Sequence, residues 1–153
     1  MKLQQLKATI LILFTFAFGN ALGQVDIKLS CTLTITSSYS TGTKEQEIKT
    51  AIFDVYQTNN LLSILSTSDD FASLSSQKIG ILVDVLNMSD DNRWHLTNTA
   101  QSKINNKVVT TITQVNIDRN SGQIFYKSDF DEGRLIKQAN GTCSKIDKTK
   151  RKF

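Results

Sequence analysis

The sequence predicts an all-β protein, built as a single antiparallel β-sandwich or a small meander barrel of about 7–8 strands. Three observations support this fold class. Apolar and polar residues alternate in several segments, turn-forming residues recur about every 8–15 positions, and one cysteine lies near each end of the strand-forming region. Because a sandwich and a closed meander both protect sheet edges, the sequence leaves the choice between them open.

The first strand carries the clearest alternation in the chain. Over residues 27–36 every second side chain is apolar, and this set is Ile27, Leu29, Cys31, Leu33 and Ile35. Successive side chains of a strand point to opposite faces of the sheet. The strand is therefore predicted to bury one face, with the Cys31 sulfur directed into the core, and to expose a row of Lys, Ser and Thr.

Strand-forming runs then recur along the chain with turn signals between them. They cover residues 47–57, 78–86, 93–99, 107–118, 123–127 and 134–146. The run at 78–86 has apolar residues on both faces, which is typical of a central, covered strand. The run at 107–118 changes its apolar parity between Ile112 and Val115, which indicates a bulge or bend. Gly122 precedes the next run, in a turn that favours a positive φ.

The segment 61–74 fits two structures. Leu61, Leu62, Ile64 and Leu65 follow two asparagines and can either start a short helix or form a buried strand. The predicted fold therefore includes one short helix near residues 60–75 as an alternative to a further strand.

The two cysteines predict one structural disulfide. Cys31 and Cys143 are 112 positions apart, and with two cysteines only one intramolecular pairing exists. An exported chain with an even cysteine count is expected to pair them. The alternative is a reactive or metal-binding thiol pair, but the chain has no C-x-x-C spacing and a single histidine. The bridge would staple the first strand to the last.

The N-terminus has the order of a secretory signal peptide. A basic start with Lys2 and Lys7 precedes an apolar run at 8–18, and Ala21 and Gly23 supply the small residues for cleavage after Gly23. The apolar run is shorter than the roughly 20 residues of a transmembrane helix. The residue after the expected cleavage point is Gln24 and not cysteine, so the expected product is soluble, periplasmic or secreted, and not a lipoprotein.

The chain is thus predicted to consist of a signal peptide at 1–23, an all-β domain at 24–147 and a basic C-terminal tail at 148–153. Without Lys2 and Lys7, the 18 basic residues fall to 16 against 14 acidic ones. The net charge of +2 is confined to the tail, whose cations are Lys148, Lys150, Arg151 and Lys152, because the chain before residue 148 is near −2. These four residues are candidates for contact with an anionic envelope surface such as lipid phosphates; a solvated terminus is the simpler interpretation. Charge confined to one end argues against nucleic-acid binding.

No catalytic, metal-binding or cofactor-binding residue is predicted. His95, the only histidine, is expected to be a surface side chain, and no catalytic or nucleotide-binding motif occurs. The acidic pairs at 69–70 and 90–91 and the cluster at 129–132 are expected to lie in solvated turns. The alternatives are a carboxylate pair for glycoside hydrolysis or a Ca²⁺ loop beginning at Asp129. Most aromatic side chains are expected in the core.

The C-terminal third resembles the ending of small exported bacterial proteins of unknown function. The stretches "NIDRNSGQIFYK" and "GTCSKIDKTKRKF" carry the resemblance, through Ile117, Asp118, Arg119, Gly122, Gly141, Cys143, Lys145, Lys152 and Phe153. Asn116 and Ser121 depart from the pattern. The resemblance covers about 35 residues, implies a bacterial exported protein, and carries over no activity and no functional residues.

Together these observations favour a non-catalytic binding or envelope-accessory domain, with an anionic surface, a protein or a glycan as its partner. An inhibitor of a cell-wall or host hydrolase is the second hypothesis, by analogy of fold alone. A hydrolase that uses loop carboxylates is the third. A concave aromatic-lined surface would favour the binder, a rigid projecting loop the inhibitor, and two facing carboxylates in a cleft the enzyme.

Overall fold

A computed structural model describes residues 25–59, 61–77 and 83–146. Over these ranges the chain forms nine strands and no helix. The strands are β1 (Val25–Tyr39), β2 (Lys44–Gln57), β3 (Leu62–Ser66), β4 (Leu74–Ser75), β5 (Val83–Asn87), β6 (Arg93–Ile104), β7 (Lys107–Asp118), β8 (Gln123–Phe130) and β9 (Leu135–Lys145). The predicted signal peptide and the basic tail lie outside the described residues.

All nine strands belong to one antiparallel sheet, in the order β4-β3-β2-β1-β9-β8-β7-β6-β5. The sheet curls until β4 contacts β6, so it forms a nearly closed, barrel-like structure. One side-chain hydrogen bond spans the seam: the Trp94 indole N–H of β6 donates to Gln57 Oε1 of β2, at 2.8 Å. The predicted all-β fold with an antiparallel, barrel-like arrangement is confirmed.

The core lies on the concave inner face of this sheet. β1 contributes its odd-numbered side chains from Leu29 to Ile35, each at most 5% exposed. The other strands add inward side chains that include Phe53, Ile64, Trp94, Leu96, Val115, Ile117, Ile124 and Tyr126. Antiparallel partners that face each other across strands share a face, so one continuous apolar surface fills the interior. The alternation predicted for β1 is confirmed.

The connection from β3 to β4 closes part of the interior. We call residues 67–73 the plug loop. Its Phe71 packs against Phe53, with ring centroids 5.6 Å apart, and edge-on against Tyr126 at 5.0 Å. The Tyr126 hydroxyl also accepts a hydrogen bond from the Ala72 backbone N–H at 3.2 Å. The loop thus completes the core with an aromatic side chain that no strand supplies.

An ion-pair cluster fixes the plug loop beside these rings. The Lys49 ammonium donates to Asp70 Oδ2 at 2.9 Å, and the Lys137 ammonium lies 3.8 Å from Asp70 Oδ1. The hydrogen bond from Lys49 holds the pKa of the Asp70 carboxyl below its usual value. Lys49 and Lys137 come from β2 and β9, so Asp70 ties the loop to two separate strands.

The disulfide predicted from the sequence is confirmed. Cys31 of β1 and Cys143 of β9 are direct cross-strand partners, with Cα atoms 3.9 Å apart, and they are bonded. Cys31 is fully buried, as its position in the alternating strand predicts. The bridge therefore joins two neighbouring strands in the middle of the sheet, at the point where the N-terminal and C-terminal strands meet.

For residues 61–74 the structure shows the strand alternative: they form β3, the whole plug loop and the first residue of β4, with no helix. Two other predictions about single elements differ from the structure. The segment 78–86 was expected to be central, yet its described part begins β5 at one end of the sheet order, where Leu86 is 53% exposed. β7 has no bulge, because its register with β6 is continuous; Ile112 simply faces outward and is 45% exposed.

Candidate functional site

The outer face of the sheet carries a groove with a volume of about 750 Å³. We call it the outer groove. It crosses the sheet from β2 to β6 and includes positions on β1, β9, β8 and β7 between them. Its polar and charged lining residues are Thr34, Thr36, Gln46, Arg93, Asn116, Asp118, Gln123, Asn140 and Thr142, and its aromatic residue is Phe125. A barrel-like sheet is strongly twisted, which makes its outer face concave along one diagonal.

The strand register aligns the centre of the groove into one row. Thr34 of β1 pairs with Asn140 of β9. Asn140 pairs on its other side with Phe125 of β8, and Phe125 in turn pairs with Asn116 of β7. Direct cross-strand partners lie side by side on one face. The half-buried Phe125 ring is therefore flanked by an asparagine on each side, with a threonine at one end of the row.

Most of the polar groups in the groove have no partner within the protein. Seven lining side chains make no hydrogen bond or ion pair with any other described residue. They are Thr34, Thr36, Gln46, Asn116, Gln123, Asn140 and Thr142. Asparagine and glutamine side chains each offer a donor and an acceptor, and a threonine hydroxyl offers both functions in one group. The groove thus presents a dense set of uncharged hydrogen-bonding groups to solvent.

The two charged residues of the groove are already engaged at one end of it. The Arg93 guanidinium donates to Asp90 Oδ2 at 3.0 Å. Asp118 Oδ1 accepts the backbone N–H groups of Ser121 at 2.7 Å and Asn120 at 2.9 Å. These bonds, the one to Ser121 above all, hold the pKa of Asp118 below its usual value. Most of the side chains in the groove that have no partner within the described residues are therefore uncharged.

His95 lies next to the groove, one strand beyond Asn116 in the same row. Its expected surface position is wrong, since it is only 9% exposed even though it is on the outer face. The Gln114 amide lies 2.7 Å from His95 Nε2, and Ser89 Oγ accepts the His95 backbone N–H. Burial, and secondarily the charge of Arg93, lowers the pKa of the imidazole. His95 is a neutral structural side chain that supports this side of the groove.

Two residues of the acidic clusters, Asp70 and Asp131, form ion pairs that hold loops in place. Asp70 is ion-paired in the plug loop as described above. The Asp131 side chain is only 7% exposed and pairs with Lys107 at 3.2 Å and with Arg134 at 3.3 Å. Both carboxylates lie in turns, as predicted, and Asp70 stays partly exposed, but the expected solvation is wrong for Asp131; the ion pairs of both residues hold loops against strands. Among the described residues, no group of three or more His, Cys, Asp or Glu is arranged to hold a metal ion.

Two smaller cavities lie near the first residues of β6, at the edge of the barrel formed by the ends of the strands. One, of about 220 Å³, lies beside the disulfide, and the Arg119 guanidinium there is 5.0 Å from the centroid of the Trp94 ring. The other, of about 280 Å³, lies between the β2–β3 and β5–β6 connections. Arg119 covers the ring of the core residue Trp94 by a cation–π contact. Because both residues line the first cavity, that cavity lies directly over the core.

The predicted site residues and the observed site overlap little. Cys31 and Cys143 form the bridge, and the four tail cations lie outside the described residues. The groove row was missed, because its members lie on four strands and only their neighbours across the sheet bring them together. The sequence did offer one sign of the groove: Thr, Asn and Gln recur at alternate positions of these strands, which are the positions that face away from the core. Phe53, Phe71, Trp94 and Tyr126 lie in the core as predicted, whereas Phe125 and Tyr56 face outward.

Within the described ranges, no helix is long and apolar enough to cross a membrane. Comparison of the chain with protein-family models, with curated proteins and with solved structures gives no match.

Proposed function

We propose that this protein is an exported, non-catalytic binding domain and that its ligand occupies the outer groove. The observation that carries this proposal is the set of seven neutral polar side chains in the groove that have no partner among the described residues. A binding site is commonly a concave surface where a few polar groups fix the orientation of the ligand. The leader-like sequence at 1–23 supports a role outside the cytoplasm.

The charge pattern of the groove favours binding over hydrolysis. Glycoside hydrolysis uses two carboxyl groups that flank the scissile bond, and Asp118 is the only carboxylate among the described lining residues. Asp118 is engaged by two backbone N–H groups, and the neighbouring His95 is buried against Gln114. The described lining of the groove therefore lacks the pair of carboxyl groups that this reaction uses.

Chemical-shift mapping of amide resonances tests the proposal. The folded domain would be titrated with three small probes: a neutral disaccharide, triglycine and inorganic phosphate. We expect at least one probe to shift a contiguous set of groove amides, and the double variant Asn116→Ala/Asn140→Ala to lose that response. A matched control is Ser30→Ala/Thr50→Ala, since both residues lie on the outer face away from the groove. Shifts scattered over the surface, or no shifts with any probe, would contradict the proposal.

A projecting hairpin favours inhibition of a hydrolase as a second candidate. Among the described residues, β5 pairs with β6 as far as Ala100, and β8 pairs with β7 from Thr111 onward. Residues 101–108 therefore extend as a two-stranded hairpin beyond their described neighbours, and all eight are exposed. Asn105 and Asn106 turn the hairpin with φ values of 50° and 64°, as in a type I′ turn.

The tip of this hairpin has the chemistry to enter an acidic cleft. Ile104 and Val108 expose apolar side chains, and Lys103 adds an exposed cation beside them. Lysozyme, whose cleft is acidic, is a suitable first probe for inhibition assays. Inhibition that disappears with Ile104→Asp and survives the groove double variant would support this candidate. Inhibition that is insensitive to both changes, or absent, would contradict it.

A further inference from the structure

We infer that the ligand of the outer groove is an uncharged glycan, which stacks on Phe125 and lies across the strands. This inference rests on the proposed function, because it names the chemical class that the groove would take. The first argument is charge. The described lining residues carry one cation, Arg93, and one carboxylate, Asp118, so their formal charges cancel, and each also bonds a neighbour. Nucleic acids and anionic lipids require clustered cations.

The second argument is the type of hydrogen-bonding group. Each hydroxyl of a sugar both donates and accepts, so it is best matched by side chains that also do both. Asn116, Asn140, Gln46 and Gln123 are amides of this kind, and the threonines of β1 and β9 add hydroxyls. The amides are planar and can bond to two adjacent hydroxyls at once. A ligand with many neutral hydroxyls would use more of these groups than any charged or apolar ligand.

The third argument is the aromatic ring in the middle of the row. Phe125 is half-buried and has Asn140 and Asn116 as its two cross-strand partners. An aromatic ring at a concave surface supplies an apolar contact at little cost in conformational entropy. A sugar ring has an apolar C–H face and a polar hydroxyl edge. It can therefore stack on Phe125 and direct its hydroxyls toward the two asparagines.

The register sets the direction and minimum length of the ligand. Neighbouring strands lie about 4.7–4.9 Å apart, so the row from Thr34 to Asn116 spans three gaps, or about 14 Å. This length exceeds a single sugar and suits a short oligosaccharide that runs perpendicular to the strands. A peptide is less suited, because extended peptides gain most of their affinity from backbone hydrogen bonds at a sheet edge. The groove lies on a sheet face.

Isothermal titration calorimetry combined with amide chemical shifts tests the inference. The full chain without residues 1–23 would be titrated with cellohexaose and chitohexaose as neutral probes, hexagalacturonate as an anionic probe, and triglycine. We expect the neutral oligosaccharides to shift groove amides and their affinity to stay within about twofold between 50 and 500 mM salt, because ionic contacts are the ones that salt screens. Phe125→Ala should weaken binding about five- to tenfold, while Phe125→Tyr should retain it.

Two further variants make the result specific. Tyr56→Ala is the matched control, because Tyr56 is another half-buried aromatic residue on the outer face but lies outside the groove. Asn116→Ala/Asn140→Ala keeps the inference testable if Phe125→Ala does not fold. Groove shifts with triglycine or hexagalacturonate but not with the neutral glycans would overturn the inference and leave the proposed function standing. An absence of groove shifts with every probe would overturn both.

Discussion

At the residue scale, Gly122 shows how one position can be constrained twice. Its φ is +71°, in the region that side chains resist, and a Cβ there would collide with the carbonyl oxygen of Cys143. The position is also held by backbone bonds, because Gly122 N–H donates to Asp118 and its carbonyl accepts from Cys143 N–H. The turn that starts β8 is thereby fastened directly to the strand that carries the disulfide.

Substitution of Gly122 separates conformational strain from steric collision. We expect Gly122→Ala to lower the free energy of unfolding by more than about 2 kcal/mol, because it adds a backbone collision to the cost of positive φ. Gly42→Ala is the control: Gly42 has φ +86° but nothing within 4 Å of an added Cβ. We expect Gly42→Ala to lower the free energy of unfolding by about 1 kcal/mol, the cost of positive φ alone. Urea denaturation of both variants makes the measurement, and equal losses would mean that the collision is relieved at no cost.

His95 predicts the pH dependence of stability. Burial lowers its pKa in the folded state, whereas in the unfolded chain the imidazole titrates near about 6.5. The unfolded state therefore takes up a proton first as pH falls, and the free energy of unfolding decreases below about pH 6.5. His95 is the only histidine, so between pH 7.5 and 5.5 the wild type should lose stability and His95→Gln should lose much less. Parallel pH slopes for the two proteins would contradict this assignment.

At the element scale, the β1–β9 pair is central to the sheet and carries the bridge. The bonded cysteines are 112 positions apart in sequence, and by the chain-entropy model a closed loop of that length contributes roughly 4–5 kcal/mol. We expect Cys31→Ala/Cys143→Ala to lower the free energy of unfolding by about 2–5 kcal/mol. Urea denaturation compared with that of the oxidised wild type provides the measurement. A loss below about 1 kcal/mol would show that the unfolded chain is not constrained by the bridge.

The sequence predicted a strand correctly where only one face of that strand packs against the core. β1 follows its alternation because each second residue packs inside, and β7 begins and ends at the predicted residues. The position of β5 was predicted wrongly, because apolar residues on both faces occur in a covered central strand and also in a strand at the end of the sheet. β5 is of the second kind, since it exposes Leu86. The turn at Asn105-Asn106 was not predicted, although asparagine tolerates the positive φ values of a type I′ turn. The groove carried no local signal of this kind, because its residues become neighbours only through pairings that are distant in sequence.

At the scale of the whole molecule, the seam between the two ends of the sheet is closed by side chains. Trp94 is 3% exposed, and its N–H reaches Gln57 across the seam. We expect Gln57→Ala to lower the free energy of unfolding by about 1–3 kcal/mol, because it leaves a buried donor without an acceptor. Trp94 is the only tryptophan, so its fluorescence reports the seam directly.

The fluorescence of Trp94 should shift to longer wavelength in Gln57→Ala if water enters the opened seam. Gln57→Glu keeps an acceptor at the same position and should preserve most of the native spectrum. Thr50→Ala, on the exposed outer face of the same strand, is the control for general destabilisation. An unchanged emission maximum in Gln57→Ala, together with unchanged stability, would show that the ends of the sheet are held together by packing alone.

The position of β1 in the sheet has a consequence for the order of assembly. β1 is the first described strand of the chain, yet it pairs on one side with β2 and on the other with β9, the last. The N-terminal strands can form a local meander early, but the middle of the sheet stays open until β9 has been synthesised and delivered. Such non-local pairing has a high contact order and slows folding. If the chain is exported as proposed and crosses a membrane N-terminus first, it would stay incompletely folded during the transfer, and the Cys31–Cys143 bridge would form only once β9 has reached β1.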